Sequence, residues 1–276
     1  MTLQLVDIGV NLSDKAFDKD RDEVISRAVE HGVTTMILTG TSLAESQEVL
    51  DLARNYPGLC FSTAGIHPHG AKGANAHTFR ELKALFSEPE VVAVGETGLD
   101  FNRDFSPRPV QEKVFEQQLE LAIECGLPLF CHEREASERF ADIIKNYRDQ
   151  VSKLVVHCFT ADKKALYRYL DLDCHIGMTG WICDERRGTH LHPLVKDIPV
   201  NRLMVETDSP WLLPRSLTKK PKSRRNEPAF LSEVVQMIAT HTGLSPEQIA
   251  RQTRETSLAF FNLTAHHHGL QGQDEQ

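Results

Sequence analysis

The stretch VVAVGETG, residues 91–98, is a short run of apolar and β-branched residues that ends in a carboxylate. Similar runs recur along the chain as LQLVDIG (3–9), TTMILTG (34–40), CFSTAGIH (60–67), LPLFCH (127–132), KLVVHCF (153–159), CHIGMTG (174–180) and RLMVETD (202–208). Runs that are apolar at nearly every position predict strands that are buried on both faces, as in parallel sheets.

Stretches with a helical period separate these runs. RDEVISRAVEHG (21–32) and VQEKVFEQQLELAIECG (110–126) each end in glycine, and SLAESQEVLDLARNY (42–56) opens with a serine cap at Ser42 and Glu45 three residues on. Strands and helices that alternate over about 250 residues predict an α/β fold, a (β/α)8 TIM-type barrel. A doubly wound open sheet is the alternative, but no G-x-G-x-x-G follows the first strand.

The domain organisation follows from this pattern. We predict that residues 1–265 form a single barrel domain, with additional C-terminal helices between 226 and 262. The polar end TAHHHGLQGQDEQ (264–276) contains three histidines. We interpret residues 266–276 as a flexible tail and not as a metal-binding tract.

Composition limits the class of protein. The chain has 276 residues, 40% of them hydrophobic and 25% charged, which suffices for a large core. The formal net charge of −8 argues against nonspecific coating of nucleic acid. The six cysteines form no C-x-x-C pair, and MTLQLVDIGV does not resemble a signal peptide. We therefore expect free thiols in the cytoplasm. No apolar run reaches the roughly 20 residues that span a bilayer.

Metal-binding residue types stand at the ends of four predicted strands. They are Glu96, His132, His157 and Asp208. In a barrel these strand ends meet at one mouth. Because it is costly to bury carboxylates and imidazoles unless they share a cation or pair with each other, their coincidence predicts a metal site.

The neighbouring cysteines raise an alternative. Cys131 and Cys158 adjoin His132 and His157, so a Cys/His zinc site has to be considered. Successive residues of a strand face opposite sides of the sheet. If the histidines face the mouth, the cysteines face the outer helices and belong to the core.

Further site residues follow from position. His67 and His69 share a face in AGIHPHG, and His67 is the better candidate for acid–base chemistry or a phosphate contact, although both can be rim histidines. Glu206 shares a face with Asp208 and is predicted to orient a ligand or a water.

A basic segment follows the last strand. RSLTKKPKSRR (215–225) has six cations and no acid, so we predict a phosphate-steering rim that includes Arg224 and Arg225. Arg186 and Arg187, after the seventh strand, are predicted to join it. Trp181 and Trp211 also follow strands, and either can stack on an unpaired base or pack helices onto the barrel; of the two, we predict Trp181 as the substrate contact.

Several motifs resemble those of one known family. DIGVNL, GIHPH, GETGLDF, VVHCFTA, GMTGWICDERRG, VETDSPWLLP and RRNEP are similar to the TatD family of metal-dependent deoxyribonucleases, which belongs to the amidohydrolase-like barrels. The resemblance covers roughly residues 3 to 262. It implies a divalent-metal-dependent nuclease that trims single-stranded DNA from the 3′ end, with RNA as a further substrate, in DNA repair or breakdown. Residue by residue, it places Glu96, His132, His157 and Asp208 on metal ligands and His67 on a catalytic or substrate-contacting histidine. For the phosphodiester hydrolysis that it implies, we predict Asp208 as general base, with His67 stabilising the charge on the phosphate or protonating the leaving oxygen.

The first strand departs from the pattern of most members. They carry D-x-H-x-H, whereas this chain has Gly9 and Asn11 after Asp7, as does a subgroup of the family. Losing two imidazoles shifts the site toward oxygen ligands, so we predict Mg²⁺, with Mn²⁺ or Zn²⁺ as alternatives. Asn11 is predicted to contact the substrate.

Two other functions remain open from the sequence. A small-molecule amidohydrolase or lactonase has the same barrel and similar ligands, but does not need a dense basic segment. A nucleic-acid-binding protein with a decayed site is the other, against which the four ligand types argue. We expect a monomer without an obligate protein partner.

Overall fold

The computed structural model describes residues 3–263, so the predicted tail at 266–276 and the predicted domain end at residue 265 lie outside the described residues. Eight parallel strands form one sheet in chain order. They are β1 Leu5–Val10, β2 Val33–Leu38, β3 Cys60–Ala64, β4 Val91–Asp100, β5 Leu129–Arg134, β6 Leu154–Val156, β7 His175–Met178 and β8 Leu203–Val205.

The helices lie between and after the strands. They are α1 Arg21–Glu30, α2 Leu43–Arg54, α3 Ala76–Leu85, α4 Arg108–Cys125, α5 Ser137–Tyr147, α6 Lys163–Asp171, α7 Leu231–Thr242 and α8 Pro246–Phe260. The sequence signals for their ends are present. Ser42 accepts a hydrogen bond from the backbone N–H of Glu45 at the start of α2, and Gly126 ends α4 with a φ of 68°.

The sheet closes on itself just beyond β8. Val10 pairs in parallel with Ser209, and the backbone N–H of Asp208 donates to the carbonyl of Gly9 over 2.9 Å. The predicted (β/α)8 barrel is confirmed. Because all strands run the same way, their C-terminal ends share one mouth.

One connection differs from the predicted alternation. Between β7 and β8 the described chain forms four short 3-10 turns and no α-helix: Gly180–Cys183, Thr189–Leu191, Val195–Asp197 and Val200–Arg202. Pro193 and Pro199 lack the N–H that a continuous helix needs. At Gly188 a Cβ would overlap the carbonyl of Trp181, so the chain there is folded tightly against itself.

The core has two layers. Most of it lies between the strands and the outer helices. The second layer fills the barrel, where Ile8, Ile37 and Phe130 pack with Phe260 from the end of α8. Lys153, just before β6, donates to the carbonyl of Phe260 over 3.3 Å, so α8 covers the N-terminal end of the barrel. Every helix within residues 3–263 is too short or too polar to cross a lipid bilayer.

Candidate active site

A cavity of about 710 Å³ opens at the C-terminal ends of the strands. Its wall brings together the predicted site residues Asn11, His67, Glu96, His132, His157 and Asp208. They come from β4 and β5 and from the segments that follow β1, β3, β6 and β8. Residues separated by almost 200 positions in the chain therefore face one space.

Glu96 is the centre of this cluster. Its Oε1 atom lies 2.7 Å from His157 Nε2, 3.0 Å from His132 Nδ1 and 3.4 Å from His67 Nε2. Glu96 lies inside β4, which continues four residues beyond it, and not at the strand end as the apolar pattern suggested. Gly98 lets β4 and β5 approach closely here, because a Cβ at its φ of 135° would overlap the carbonyl of His132.

The cluster is held together by charge. Burial alone would raise the pKa of Glu96, but the imidazoles of His157, His67 and His132 outweigh it and hold that pKa well below its usual range. Burial alone would lower the pKa of His157, but Glu96 and Glu206 raise it well above its ordinary value. A buried carboxylate that needs positive partners is suited to a cation.

The residues fit a divalent metal. One ligand atom each from His67, Glu96 and His132 lies within 4.8 Å of the other two, and oxygen and imidazole nitrogen are donors that such ions accept. His157 contacts the same Glu96 oxygen as His132 and adds a further imidazole. We conclude that this is a possible metal-binding site.

Two carboxylates stand behind the histidines. Asp100 Oδ2 lies 3.2 Å from His132 Nε2, and Glu206 Oε2 lies 3.3 Å from His157 Nδ1. A carboxylate on the far nitrogen of a metal-binding histidine fixes its tautomer and orientation. Glu206 has no exposed surface and contacts His157, so it is placed to orient a ligand and not to meet the substrate.

Sequence reasoning missed Asp100. It contacts His132 and also His69, whose Nε2 lies 2.7 Å from Asp100 Oδ2. Its spacing from Glu96 was the available signal. Asp100 is four residues after Glu96 on β4, so the two side chains point to the same face of the strand. Its pKa is held well below its usual range: burial would raise it, but hydrogen bonds from His132, from the backbone of Arg103 and from His69 outweigh burial.

His67 differs from the other histidines. Burial lowers its pKa to about 4, against the opposing effect of Glu96, so the ring is neutral at neutral pH. Its Nδ1 accepts a hydrogen bond from the backbone N–H of His69 over 3.1 Å. A neutral ring that accepts at Nδ1 carries its proton on Nε2, which faces Glu96. In this tautomer His67 donates a hydrogen bond from Nε2, so it acts beside the ion and not as one of its ligands, although it lies close to Glu96 and His132.

Asp208 lies across the mouth from β4, with a φ of 52°. Burial raises its pKa to about 7, and Asn11 opposes this by donating from Nδ2 to Oδ1 over 3.0 Å. Asn11 therefore orients Asp208, a role that the sequence did not predict.

Cys158 lines the mouth, and the prediction that it faces the outer helices was wrong. The positive φ of 46° at this residue breaks the alternation on which that prediction rested. Its thiol is not a ready ligand, because burial raises its pKa well above the ordinary value. Cys131 is buried in the outer core layer, as predicted.

The predicted arginines are mostly paired with acids. Arg186 and Arg187 lie 3.1 and 3.0 Å from Asp184, and only Arg187 lines the cavity. Arg225 lies 2.7 Å from both Asp20 and Glu227, which commits its guanidinium to the scaffold and not to a substrate. Arg224 is exposed and is not among the residues that line the cavity.

The two tryptophans line the cavity but differ in access. The Arg187 guanidinium covers the Trp181 ring at 4.2 Å from its centroid, and Trp181 Nε1 is buried with no hydrogen-bond partner in the described part of the chain. Trp211 is 51% exposed. The open aromatic face at the mouth is therefore that of Trp211.

Fold and site together define a class: a (β/α)8-barrel hydrolase of the metal-dependent kind. A family model described as TatD related DNase matches residues 6–262. The chain belongs to the TatD-related DNase family, and this favours the nuclease prediction over the amidohydrolase and decayed-site alternatives.

Individual proteins agree with this assignment. The chain is 49% identical over 259 residues to the 3′-5′ ssDNA/RNA exonuclease TatD of Erwinia tasmaniensis. The matched region covers 94% of this chain and 100% of the relative. The crystal structure of YJJV, a TatD homolog from Escherichia coli K12, superposes with a TM-score of 0.86 at 25% identity, covering 95% of this chain and 99% of the other. An uncharacterized amidohydrolase from Saccharomyces cerevisiae has the same fold, with a TM-score of 0.81 at 23% identity over 94% and 99% of the two chains.

Proposed function

We propose that the protein is a divalent-metal-dependent exonuclease that removes nucleotides from the 3′ end of single-stranded DNA and also accepts RNA, in DNA repair or degradation. The observation that carries the proposal is the convergence of His157, His132 and His67 on one oxygen of Glu96. The substrate class and polarity rest on the name of the relative that is 49% identical.

Glu96, His132, His157 and Asp208 are the proposed metal ligands. Magnesium is the proposed ion, because Gly9 and Asn11 stand where other members of the family have imidazoles and leave more of the site to oxygen donors. Such an ion, when bound, lowers the pKa of a bound water and neutralises charge on the phosphate. Asp100 and Glu206 hold the two ligand histidines in place.

Asp208 and His67 are the proposed catalytic residues. Asp208 lines the mouth and is oriented by Asn11, so its carboxylate can take a proton from the attacking water. His67 Nε2–H points into the cluster and donates a hydrogen bond to a phosphate oxygen, where negative charge develops. The water oxygen forms a bond to phosphorus while the bond between phosphorus and the 3′ oxygen of the shortened strand breaks. That oxygen takes up a proton as the new 3′-hydroxyl, and the phosphate leaves on the released nucleotide.

We further propose that the enzyme works in the cytoplasm as a monomer. All six cysteines are free, which suits a reducing compartment.

Digestion of 5′-labelled single-stranded DNA under titration with Mg²⁺, Mn²⁺ or Zn²⁺ tests the proposal. The wild type should shorten the strand stepwise from the 3′ end only with a divalent ion, and best with Mg²⁺. Glu96→Gln should lower the rate by at least about a hundredfold, since the central ligand is lost. Glu120→Gln, an exposed position on α4, is the matched control. A metal-independent rate, or full activity in Glu96→Gln, would contradict the proposal.

A further inference from the structure

We propose that Arg134 and Arg103 bind the backbone phosphates on the 5′ side of the scissile linkage. The proposal rests on the nuclease function given above and names the groups that recognise its polymer substrate. These arginines take the place of the basic segment at 215–225, from which the sequence predicted the phosphate contacts.

Both arginines line the cavity, and both are available. Within residues 3–263, neither guanidinium has a hydrogen-bond or ion-pair partner. The third arginine on the wall, Arg187, is held by Asp184 at 3.0 Å. A guanidinium without a carboxylate partner keeps all of its N–H donors available to bind a phosphate.

The backbone fixes both arginines relative to the metal site. Arg134 lies on β5 two residues after His132, so both side chains leave the same face of the strand. Its carbonyl accepts from the N–H of Phe101 over 2.9 Å, which ties the end of β4 to it. The Arg134 guanidinium lies 5.9 Å from the centroid of Trp181, an arrangement that leaves its N–H groups free.

Arg103 is placed by the residue that also supports His132. Asp100 Oδ1 accepts from the backbone N–H groups of Asn102 and Arg103 over 3.0 and 2.8 Å, while Asp100 Oδ2 contacts His132. The Asp100 carboxylate therefore holds both the turn that presents Arg103 and the proposed metal ligand His132. The Arg103 side chain itself is exposed at the rim.

The charge of the cavity explains why such cations are needed. Five carboxylates line it: Glu45, Glu96, Asp100, Glu133 and Asp208. A metal ion offsets part of this charge at the scissile phosphate only. The next phosphates of the strand still approach an acidic surface, and the free guanidiniums of Arg134 and Arg103 are the groups on the wall that can attract them.

The test combines arginine variants with a substrate that lacks charge at chosen linkages. One dT oligonucleotide has phosphates throughout. A second has neutral methylphosphonates at the two linkages 5′ of the terminal, scissile one. Wild-type kcat/KM should fall by about tenfold or more on the second substrate, as expected for lost charge-assisted hydrogen bonds. Arg134→Gln and Arg103→Gln should each lower kcat/KM on the all-phosphate substrate by a similar factor, mainly through KM. The difference in kcat/KM between the all-phosphate and the methylphosphonate substrates should be smaller for these variants than for the wild type.

Salt dependence gives an independent readout. Removing one phosphate contact should reduce the slope of log kcat/KM against log salt by about 0.7 for a single strand. Arg134→Lys keeps the charge without the planar fork and should retain the salt slope while losing part of the affinity. Arg80→Gln, on the exposed face of α3, is the control and should leave both readouts unchanged.

The outcomes separate the two proposals. If the wild type shortens the all-phosphate strand while folded arginine variants stay as sensitive to methylphosphonate as the wild type, the arginine assignment is wrong. If only the melting temperature of Arg134→Gln falls, with substrate discrimination intact, Arg134 serves to pack Trp181. If the wild type shortens no strand with any divalent ion, the proposed function fails, and the assignment fails with it.

Discussion

The Glu206 carboxylate occupies the space beside Gly9, so a Cβ added at position 9 would overlap Glu206 Oε2. It also lies against Gly177, where a Cβ would be 2.6 Å from Glu206 Oε1. Glycine on β1 and on β7 thus makes room for a buried glutamate that contacts His157. A carboxylate from the segment after β8 therefore fills the space beside Gly9 on the first strand.

Gly9→Ala should therefore lower the free energy of unfolding by about 1–3 kcal/mol, the usual cost of overpacking. Urea denaturation measures the loss. Gly9→Ala combined with Glu206→Ala should lose less than the sum of the single variants, because the second change removes the atom nearest to the new methyl group. Additive losses in this cycle would show that the two positions do not compete for space.

Asp100→Asn should weaken metal binding about 10- to 100-fold, the usual effect of losing a carboxylate behind a ligand histidine. The Mg²⁺ concentration that gives half-maximal activity reports the change, and Asp100→Glu should recover part of it. Asp104→Asn is the matched control, because Asp104 lies in the same turn but pairs with the exposed Arg108. Equal metal requirements in the Asp100 and Asp104 variants would rule out the supporting role.

Asp7→Asn should change how stability depends on pH. Burial raises the pKa of Asp7 to about 8, although hydrogen bonds with Thr207 oppose it. A carboxyl whose pKa is higher in the folded than in the unfolded protein stabilises the fold fully at a pH below its unfolded pKa. This stabilisation is lost as the pH rises through the folded pKa. Between the two pKa values, wild-type stability should fall relative to Asp7→Asn by on the order of 1 kcal/mol per pH unit.

Urea denaturation of both proteins at several pH values, with metal removed, measures this difference. Other titrating groups contribute equally to the two proteins and cancel. Parallel stability profiles from acidic to mildly alkaline pH would mean that Asp7 is ionised in the folded protein.

Trp211→Ala should weaken binding of single-stranded DNA by roughly 1–3 kcal/mol and leave the melting temperature unchanged, because its exposed ring is free to stack on a base. Trp181→Ala should instead lower the melting temperature, since its ring packs under Arg187. Fluorescence anisotropy with labelled dT oligonucleotides and thermal melts separate the two effects. The opposite pattern would make Trp181 the stacking residue.

The sequence predicted the barrel because that fold depends on a repeated local pattern: apolar runs, caps and glycine stops that each segment carries by itself. Glu96, His132 and His157 were found in the same way, because a polar residue after an apolar run is visible locally. Asp100 was missed because the apolar part of β4 ends at Val94, whereas the strand continues to Asp100.

Contacts between distant segments could not be read from local patterns. The basic segment looked like a phosphate rim, but Arg225 is neutralised by Asp20, about 200 residues away in the chain. Gly9 and Asn11 indicated two missing imidazoles, yet the glutamate that fills the space beside Gly9 comes from beyond β8, across the closure of the barrel. The free guanidinium of Arg134 becomes apparent only when the partners of the other arginines are known.

The pairing of the surface arginines with aspartates and glutamates has a consequence for how the enzyme meets a long strand. A protein with a formal charge of −8, in which Arg186, Arg187 and Arg225 are paired with acids, exerts little pull on a polyanion at a distance. After each cut, the short-range contacts at the mouth then have to retain the shortened strand. We expect distributive shortening, visible as an even ladder of intermediates when substrate is in excess, in place of a few strands degraded to completion.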